Sequence, residues 1–211
     1  MQILSLESVD STQKYLKELI KKDNIELPFA VIAKTQTNGV GSRDNAWDGL
    51  SGNLFLSMAL HVEDLPKDLK IESASIYFAY ILKEVLESFN SKVWLKWPND
   101  FYINNRKIGG MITNIVENKL ICGVGLNLLN APYGFEKLDV KISIDELLNK
   151  YFKSVQNYTP WKQIFSKYKL EFQRNQNFFT HENNLRISLE DAHLQDDGSI
   201  IVNGERIYSL R

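Results

Sequence analysis

Residues 93–128 read VWLKWPNDFYINNRKIGGMITNIVENKLICGVGLNL. This stretch contains four short apolar segments separated by polar turn residues. The apolar segments are 93–96, 101–103, 108–116 and 120–128. The intervening turns are Pro98-Asn99-Asp100, Asn104-Asn105 and Glu117-Asn118. Apolar runs of strand length that are broken by such residues are typical of strands joined by tight turns. The pattern predicts an antiparallel meander.

The rest of the chain supplies further strands and a set of amphipathic helices. Strand composition marks 29–33 and 53–60, which we expect to be neighbouring central strands. Apolar residues spaced by three and four predict helices that start at Asp10 or Ser11 and end near Asn24, and that span 68–89, 144–152 and 161–172. The sequence therefore predicts an α+β fold in which helices pack on a mixed, largely antiparallel sheet.

The last thirty residues have a different character. Residues 185–189 alternate between apolar and polar side chains, and Asn203-Gly204 joins two short apolar runs, which is a strong hairpin signal. We expect an α+β domain over residues 1–180 and a small C-terminal β module over residues 181–211.

Composition excludes several classes of protein. The 211 residues carry 25 Lys and Arg against 26 Asp and Glu, so a net charge of -1 gives no global attraction to nucleic acid or anionic membrane. The single cysteine, Cys122, excludes an intrachain disulfide, and we interpret it as a small buried apolar residue. The N-terminus lacks a secretory signal pattern, and the longest apolar run, 76–82, is too short to cross a bilayer. We expect a cytoplasmic protein with no membrane partner.

Two segments combine close backbone approach with charge. In the first, Gly39 and Gly41 let the backbone approach an anionic ligand and Arg43 adds a cation, although a mobile surface loop is the simpler interpretation. No P-loop motif is present. In the second, a single carboxylate, Asp100, stands among Lys96, Arg106 and Lys107. This segment can offer ligands to a metal, an amine or a phosphate, or serve only as a tight turn.

Two further segments are weaker candidates. The run Gly123-Val124-Gly125-Leu126-Asn127 lets another group press against the sheet, which a packing contact with the long helix explains equally well. Ser11, Thr12 and Gln13 begin the first helix and are mostly explained by capping.

Taken in order, these segments resemble the biotin-protein ligases, also called biotin–acetyl-CoA-carboxylase ligases. The motifs that carry the resemblance are Asp10-Ser11-Thr12, Gln36-x-x-Gly39-x-Gly41, Lys96-Trp97-Pro98-Asn99-Asp100, Arg106-Lys107-Ile108-Gly109-Gly110 and Gly123-Val124-Gly125-Leu126-Asn127. The resemblance implies a class II synthetase-like fold with an SH3-like C-terminal module. It also implies a reaction in which biotin and ATP form biotinyl-5'-AMP, from which biotin passes to a lysine of a biotin carboxyl carrier protein.

The resemblance also assigns roles to residues. Lys107, Arg43 and Asp100 would be catalytic, and Asp100 would help to bind Mg²⁺ or orient the incoming lysine. Nucleotide contacts would come from Arg43, Asn99, Lys107 and Asn127. The implied biotin contacts are Ser11, Thr12, Gln13, Gln36, Gly39, Val40, Gly41, Ser42, Trp47, Lys107, Gly109, Gly110 and Gly125.

The chain departs from the family pattern in the glycine loop. Much of the family has Gly-Arg-Gly-Arg-Arg-Gly, whereas Val40 and Ser42 replace two of the arginines here. We hypothesise that Arg43 and Lys107 together take over phosphate binding. Because the match begins at residue 7, we expect no DNA-binding module and no DNA partner, and a monomer or weak homodimer.

Three alternatives remain at this point. A lipoate-protein ligase would share the fold and differ in the acid that it activates. An octanoyltransferase would need a reactive cysteine, which Cys122 in an apolar strand does not resemble. A sensor of biotin or nucleotide without enzyme activity is compatible with the missing loop arginines, and the presence of Lys107 and Asp100 argues against it.

Overall fold

The computed structural model describes residues 1–41, 46–182 and 185–209. The helices are α1 (Thr12–Lys21), α2 (Ala74–Glu87), α3 (Ile144–Val155) and α4 (Trp161–Glu171). The strands are β1 (Gln2–Val9), β2 (Phe29–Val40), β3 (Ala46–Gly49), β4 (Leu54–His61), β5 (Trp94–Lys96), β6 (Asp100–Ile103), β7 (Arg106–Val116), β8 (Lys119–Leu126), β9 (Phe179–Glu182), β10 (Leu185–Ser188), β11 (His193–Leu194), β12 (Ile200–Val202) and β13 (Glu205–Ile207). Short 3-10 helices include Ile71–Ser73 and Phe172–Asn177.

The main sheet contains eight strands and is mixed, as expected. Its order is β1-β2-β4-β8-β7-β6-β5, and β3 also pairs with β2. Only the β1–β2 pair is parallel among the described strands, and the meander from β5 to β8 is antiparallel throughout. The prediction that β2 and β4 are neighbours is confirmed, because Ala30 lies opposite Met58 in their register.

Helices cover both faces of the sheet. Leu16 and Ile20 of α1 pack on one face against Val31, Ala59 and Ile121. The neighbouring side chains of β4 point the other way, into a larger apolar cluster that contains α2, α3 and α4. Because β4 is covered on both faces, its residues from Leu54 to Leu60 are buried.

The predicted helices exist, with altered ends. The long helix starts at Ala74 instead of 68, since a 3-10 turn over Ile71–Ser73 precedes it. Ser11 caps α1 by accepting a hydrogen bond from the backbone N–H of Lys14, at 3.4 Å. The first helix then ends at Lys21, before the predicted Asn24.

The C-terminal strands form two small sheets, β9–β10 and β11–β12–β13. Asn203 and Gly204 both adopt positive φ, 53° and 79°, in the predicted hairpin between β12 and β13. Residue 181 lies within β9, and Leu189 and Ile200 join the same apolar cluster as α2. The division at residue 180 and the SH3-like character of this part stay predictions.

Within the described ranges, none of the helices combines the length and the apolar composition that a bilayer crossing requires.

Candidate functional site

A cavity opens on the face of the sheet that carries α1. Its walls come from the start of α1, from β2 and the residue that follows it, from β3, β4, β7 and β8, and from the turn between β5 and β6. The residues that line it are Ser11, Thr12, Gln13, Gln36, Val40, Gly41, Trp47, Leu56, Ser57, Asn99, Asp100, Lys107, Gly110, Met111, Ile112, Gly123, Val124 and Gly125. Segments that are far apart in the sequence therefore meet in one pocket.

One end of the pocket is a buried network of uncharged polar groups. Gln36 Oε1 accepts hydrogen bonds from the backbone N–H of Thr12 at 2.8 Å and from its hydroxyl at 3.1 Å. The Thr12 hydroxyl is also hydrogen-bonded to the hydroxyl of Ser57, with an O–O distance of 2.9 Å. These contacts fix the start of α1 against β2 and β4, so its polar groups have defined positions.

Two buried donors in the pocket have no hydrogen-bond partner among the described residues. They are Nε2 of Gln13 and Nε1 of Trp47. A buried N–H group without an acceptor costs free energy, and such groups in native proteins usually meet water or a ligand. Both residues line the cavity, so the pocket offers hydrogen-bond donors to a bound molecule.

Trp47 closes the pocket above a glycine of β8. A Cβ built on Gly125 would lie 2.5 Å from Nε1 of Trp47, so the indole rests directly on the backbone of the strand. The edge of Phe135 meets this indole at a centroid distance of 6.1 Å. This contact confirms the sequence-based expectation that glycines in 123–127 let another group press against the sheet.

The charged end of the pocket contains one carboxylate between two lysines. Nζ of Lys107 lies 2.6 Å from Oδ1 of Asp100, and Nζ of Lys96 lies 3.5 Å from Oδ2. Burial alone would raise the pKa of Asp100, but the attraction of Lys107 and Lys96 and their hydrogen bonds hold that pKa below its ordinary value. Asp100 is therefore ionised at neutral pH and holds the ammonium group of Lys107 in place.

Arg106 is not part of this cluster. It lies opposite Ile103 in the β6–β7 register and is exposed, whereas Asp100 lies opposite Gly110. The interpretation that three cations surround Asp100 is therefore wrong in this detail. Strand alternation explains the difference, since the neighbours Arg106 and Lys107 point to opposite faces.

Most of the predicted site residues line the cavity, and a few lie beside it. Gly39 pairs with Trp47 in the β2–β3 register, and Gly109 pairs with Leu126 behind the pocket. Asn99 lines the cavity, and its amide N–H donates to the backbone oxygen of Met111. Ser42 and Arg43, both predicted contacts, lie outside the described residues.

Asn127 does not line the pocket. It follows the end of β8 and is buried, its amide N–H donates to the backbone oxygen of Glu136 at 3.1 Å, and its Oδ1 faces Nδ2 of Asn53 at 3.4 Å. The structure therefore does not bring Asn127 to the ligand site, because both halves of its amide stabilise the chain after β8.

Several lining residues were not predicted from the sequence. Ser57 is the most informative, because it is the one hydroxyl within the apolar run of β4 and is completely buried. The others are Leu56, Met111 and Ile112. Apolar side chains of this kind carry no signal that separates a pocket wall from a core.

The described residues do not fit a resident metal ion. No group of three or more His, Cys, Asp or Glu side chains among them could hold one. Asp100 is the one carboxylate among the described lining residues, and a lysine ammonium group faces each of its oxygens. Such a carboxylate is a poor magnesium ligand, so the expectation that Asp100 binds Mg²⁺ gains no support.

Cys122 is buried, as predicted. Burial raises the pKa of its thiol well above the ordinary value, so it is present as the unreactive thiol. It also lies outside the cavity lining, which argues against a cysteine nucleophile in this pocket.

The comparisons with known proteins agree with this geometry. The family model for the biotin/lipoate A/B protein ligases matches residues 5–128. The bifunctional ligase/repressor BirA of Escherichia coli is 32% identical over 127 residues, which are 57% of this chain and 38% of that protein. The chain thus spans well under half the length of this relative.

Two solved structures share the fold over nearly the whole chain. A biotin acetyl-coenzyme A carboxylase synthetase from Helicobacter pylori with bound biotinylated ATP is 36% identical, with a TM-score of 0.94 over 98% of this chain and 99% of the other. A biotin protein ligase from Aquifex aeolicus in complex with biotin and ATP is 21% identical, with a TM-score of 0.79 over 100% of this chain and 96% of the other. The second similarity shows the fold alone. The matched segment covers β1 to β8 and with them every described residue of the pocket, and the chain belongs to the biotin/lipoate A/B protein ligase family.

Proposed function

We propose that this chain is a biotin-protein ligase that activates biotin with ATP. In the first step a carboxylate oxygen of biotin attacks the α-phosphorus of ATP, which forms biotinyl-5'-AMP and releases pyrophosphate. In the second step a lysine amine of a carrier protein attacks the acyl carbon and AMP leaves. One observation carries the proposal: a lysine ammonium group, fixed by a carboxylate, lies in a pocket that also offers buried donors to which no described residue is hydrogen-bonded.

Lys107 has the properties that the first step requires. A carboxylate and a triphosphate repel each other, so a cation must lie between them as they approach. The ion pair with Asp100 holds the Lys107 ammonium group in one position before either substrate arrives. A preorganised charge of this kind stabilises the transition state without reorganisation, and removing such a group typically costs ~10² to 10³ in rate.

The uncharged end of the pocket suits the ring system of biotin. The ureido group presents one carbonyl acceptor and two N–H donors, and Ser11, Thr12, Gln13 and Gln36 present hydroxyl and amide groups at this end. Trp47 and the side chain of Ile112, which lies opposite Gly123 on the same face, line the rest of the cavity. The bound biotinylated ATP named for the Helicobacter pylori structure supports a shared site for both substrates.

The nucleotide requires cationic and amide groups beyond Lys107. We assign Arg43 to the phosphates, together with Lys107, because Val40 carries no charge where the family pattern has arginine. Asn99 borders the charged end and remains a candidate nucleotide contact. Magnesium would enter with the phosphates of ATP as part of the substrate, since Asp100 is occupied by its two lysines.

The carrier is identified by chemistry and by the names of relatives. Its modified group must be a lysine amine that can reach the charged end of the pocket. The Helicobacter pylori protein is named as an acetyl-coenzyme A carboxylase synthetase, and a Mycobacterium tuberculosis relative is named as a biotin–[acetyl-CoA-carboxylase] ligase. We propose the same class of acceptor for this chain.

Transfer of biotin to a carrier domain tests the proposal. The chain is mixed with biotin, ATP and magnesium and with a biotin carboxyl carrier domain, and the mass of the carrier is followed. We expect the carrier to gain one biotin on its target lysine, and a carrier with Lys→Arg at that position to gain none. Equal labelling of both carriers, or labelling of neither, would contradict the assignment.

A further inference from the structure

The backbone of the turn that carries Asp100 is held from outside the pocket. β5 ends the main sheet, so one side of this strand pairs with β6 and the other side has no strand partner among the described residues. The N–H groups of Leu95 and Trp97 point to that open side. Both need acceptors because both residues are fully buried.

Two side chains from the end of α4 supply these acceptors. Oε1 of Glu171 accepts from the N–H of Leu95 at 2.6 Å, and Oδ1 of Asn175 accepts from the N–H of Trp97 at 2.8 Å. The two residues are four positions apart, so they lie on one face of α4 and the 3-10 turn that follows it. These two side chains supply the acceptors that a neighbouring strand would otherwise supply to β5.

Asn175 is held rigidly for this role. Its side chain is fully buried, and its amide N–H donates to the backbone oxygen of Phe172 at 2.9 Å. This second bond fixes which end of the amide faces Trp97. Asn175 therefore presents an acceptor at one position with little freedom to adjust.

Trp97 connects the Asn175 contact to the pocket. Its indole is fully buried, and Nε1 donates to the backbone oxygen of Gly198 in the C-terminal part at 2.8 Å. Pro98, Asn99 and Asp100 follow directly. Asn99 O accepts from the N–H of Met111 at 2.9 Å, and Asp100 then meets Lys107.

We propose that Asn175 is a positioning residue for adenylate formation: by holding the backbone of Trp97, it sets the place of Asp100 and hence of the Lys107 ammonium group. This inference rests on the proposed function. The groups assigned to biotin's ring lie on or next to α1, β2, β3 and β7, and not on β5 or β6. Asn175 should therefore influence the chemical step much more than biotin binding.

The test compares Asn175→Leu with the wild-type chain. Leucine keeps the branching and the number of side-chain heavy atoms of asparagine and removes the acceptor. A displacement of the order of 1 Å in a positioning contact can cost about 10²-fold in rate, so we expect the turnover rate of biotin-dependent pyrophosphate exchange to fall by about that factor. Biotin affinity, measured by calorimetry without ATP, should stay within about twofold of wild type.

Two further variants separate positioning from simple loss of stability. In Asn175→Asp the fully buried carboxyl group should be protonated, so that one oxygen accepts from the Trp97 N–H and the hydroxyl donates to the backbone oxygen of Phe172. This variant should recover most of the exchange rate that Asn175→Leu loses. Tyr168→Phe is the matched control, since Tyr168 is a buried residue of α4 whose hydroxyl has no partner among the described residues. It should exchange at the wild-type rate.

If Asn175→Leu does not fold, Asn175→Ala replaces it, because alanine removes the acceptor without adding bulk. Its turnover should fall while biotin affinity holds. The inference is overturned if folded Asn175→Leu or Asn175→Ala exchanges at the wild-type rate, or if its biotin affinity falls as much as its turnover. A wild-type chain that does not exchange with biotin at all contradicts the proposed function instead.

Discussion

Gly125→Ala is a small change that should strongly disturb the pocket. The new Cβ would lie 2.5 Å from Nε1 and 2.6 Å from Cε2 of Trp47, whereas ordinary contacts are 3.4–4 Å. The indole would therefore have to retreat by roughly 1 Å. It cannot do so freely, because it packs against Phe135 at 6.1 Å between ring centroids, and Nζ of Lys107 lies 6.0 Å from the indole.

Two quantities should change in Gly125→Ala. A misplacement of about 1 Å in the pocket predicts a fall of about 10²-fold in the rate of biotin-dependent pyrophosphate exchange. Overpacking of a fitted contact typically costs about 1–3 kcal/mol, which urea unfolding would measure. Biotin affinity, measured by calorimetry, should also fall, since Trp47 covers the cavity.

Two controls show whether the effect comes from this contact. Gly204→Ala adds a methyl group at a φ of +79° where nothing lies within 4 Å, so it should destabilise the hairpin and leave exchange unchanged. In a Trp47→Ala background, where the clash is absent, Gly125→Ala should have little further effect on exchange. Exchange and biotin affinity within about twofold of wild type in Gly125→Ala itself would refute the described contact.

Three further predictions concern the charged groups. Lys107→Ala should lower the exchange rate by ~10² to 10³ while the circular dichroism spectrum is kept, and an unchanged rate would refute its role. Because the folded-state pKa of Asp100 lies below its unfolded value of ~3.9, its ionised form stabilises the fold above that pH, and this contribution is lost as the pH falls through the folded-state pKa. The unfolding free energy of wild type relative to Asp100→Asn should accordingly be constant above about pH 5 and decrease below about pH 4, and an increase on acidification would contradict the ion pair. Arg43→Ala should slow exchange or increase the release of adenylate into solution. If this variant shows neither effect, the assignment of Arg43 to the phosphates is wrong.

Much of the fold could be predicted because its signals are local. The meander from β5 to β8 follows from short apolar runs and turn residues, and the β12–β13 hairpin follows from Asn203-Gly204. The start of the long helix depends instead on contacts between distant segments. A 3-10 turn precedes Ala74, and the Ser73 hydroxyl in this turn donates to the backbone oxygen of Asp197.

Among the strands that were not predicted from the sequence, β1 illustrates the same limit. Its side chains are mostly exposed or half-buried, and Ile3 is 44% exposed, so the apolar alternation is weak. Its pairing is parallel to β2, with Gln2 opposite Phe29, and no short turn announces such a connection. An edge strand of this kind becomes visible only when its partner is known.

Part of the candidate site could likewise be predicted from local motifs, and part could not. The glycines and charged residues of the pocket lie in motifs with unusual composition, so Lys107, Asp100 and Gly125 could be selected from the sequence. Asn127 belongs to such a motif but follows the last residue of β8, and its amide bonds to Glu136 instead. Asn175 belongs to no recognisable motif. Its proposed role depends on the hydrogen bond that it accepts from the Trp97 N–H, which joins segments far apart in the sequence.

Whether this chain activates biotin with ATP can be decided by pyrophosphate exchange into ATP, with biotin, lipoate and octanoate supplied in turn. Exchange occurs only when an acid attacks the α-phosphorus reversibly, so the assay reports the first chemical step and the identity of the acid together. We expect exchange with biotin, loss of that exchange in Lys107→Ala, and no exchange above background with lipoate or octanoate. Exchange with lipoate or octanoate but not with biotin, or with none of the three, would contradict it.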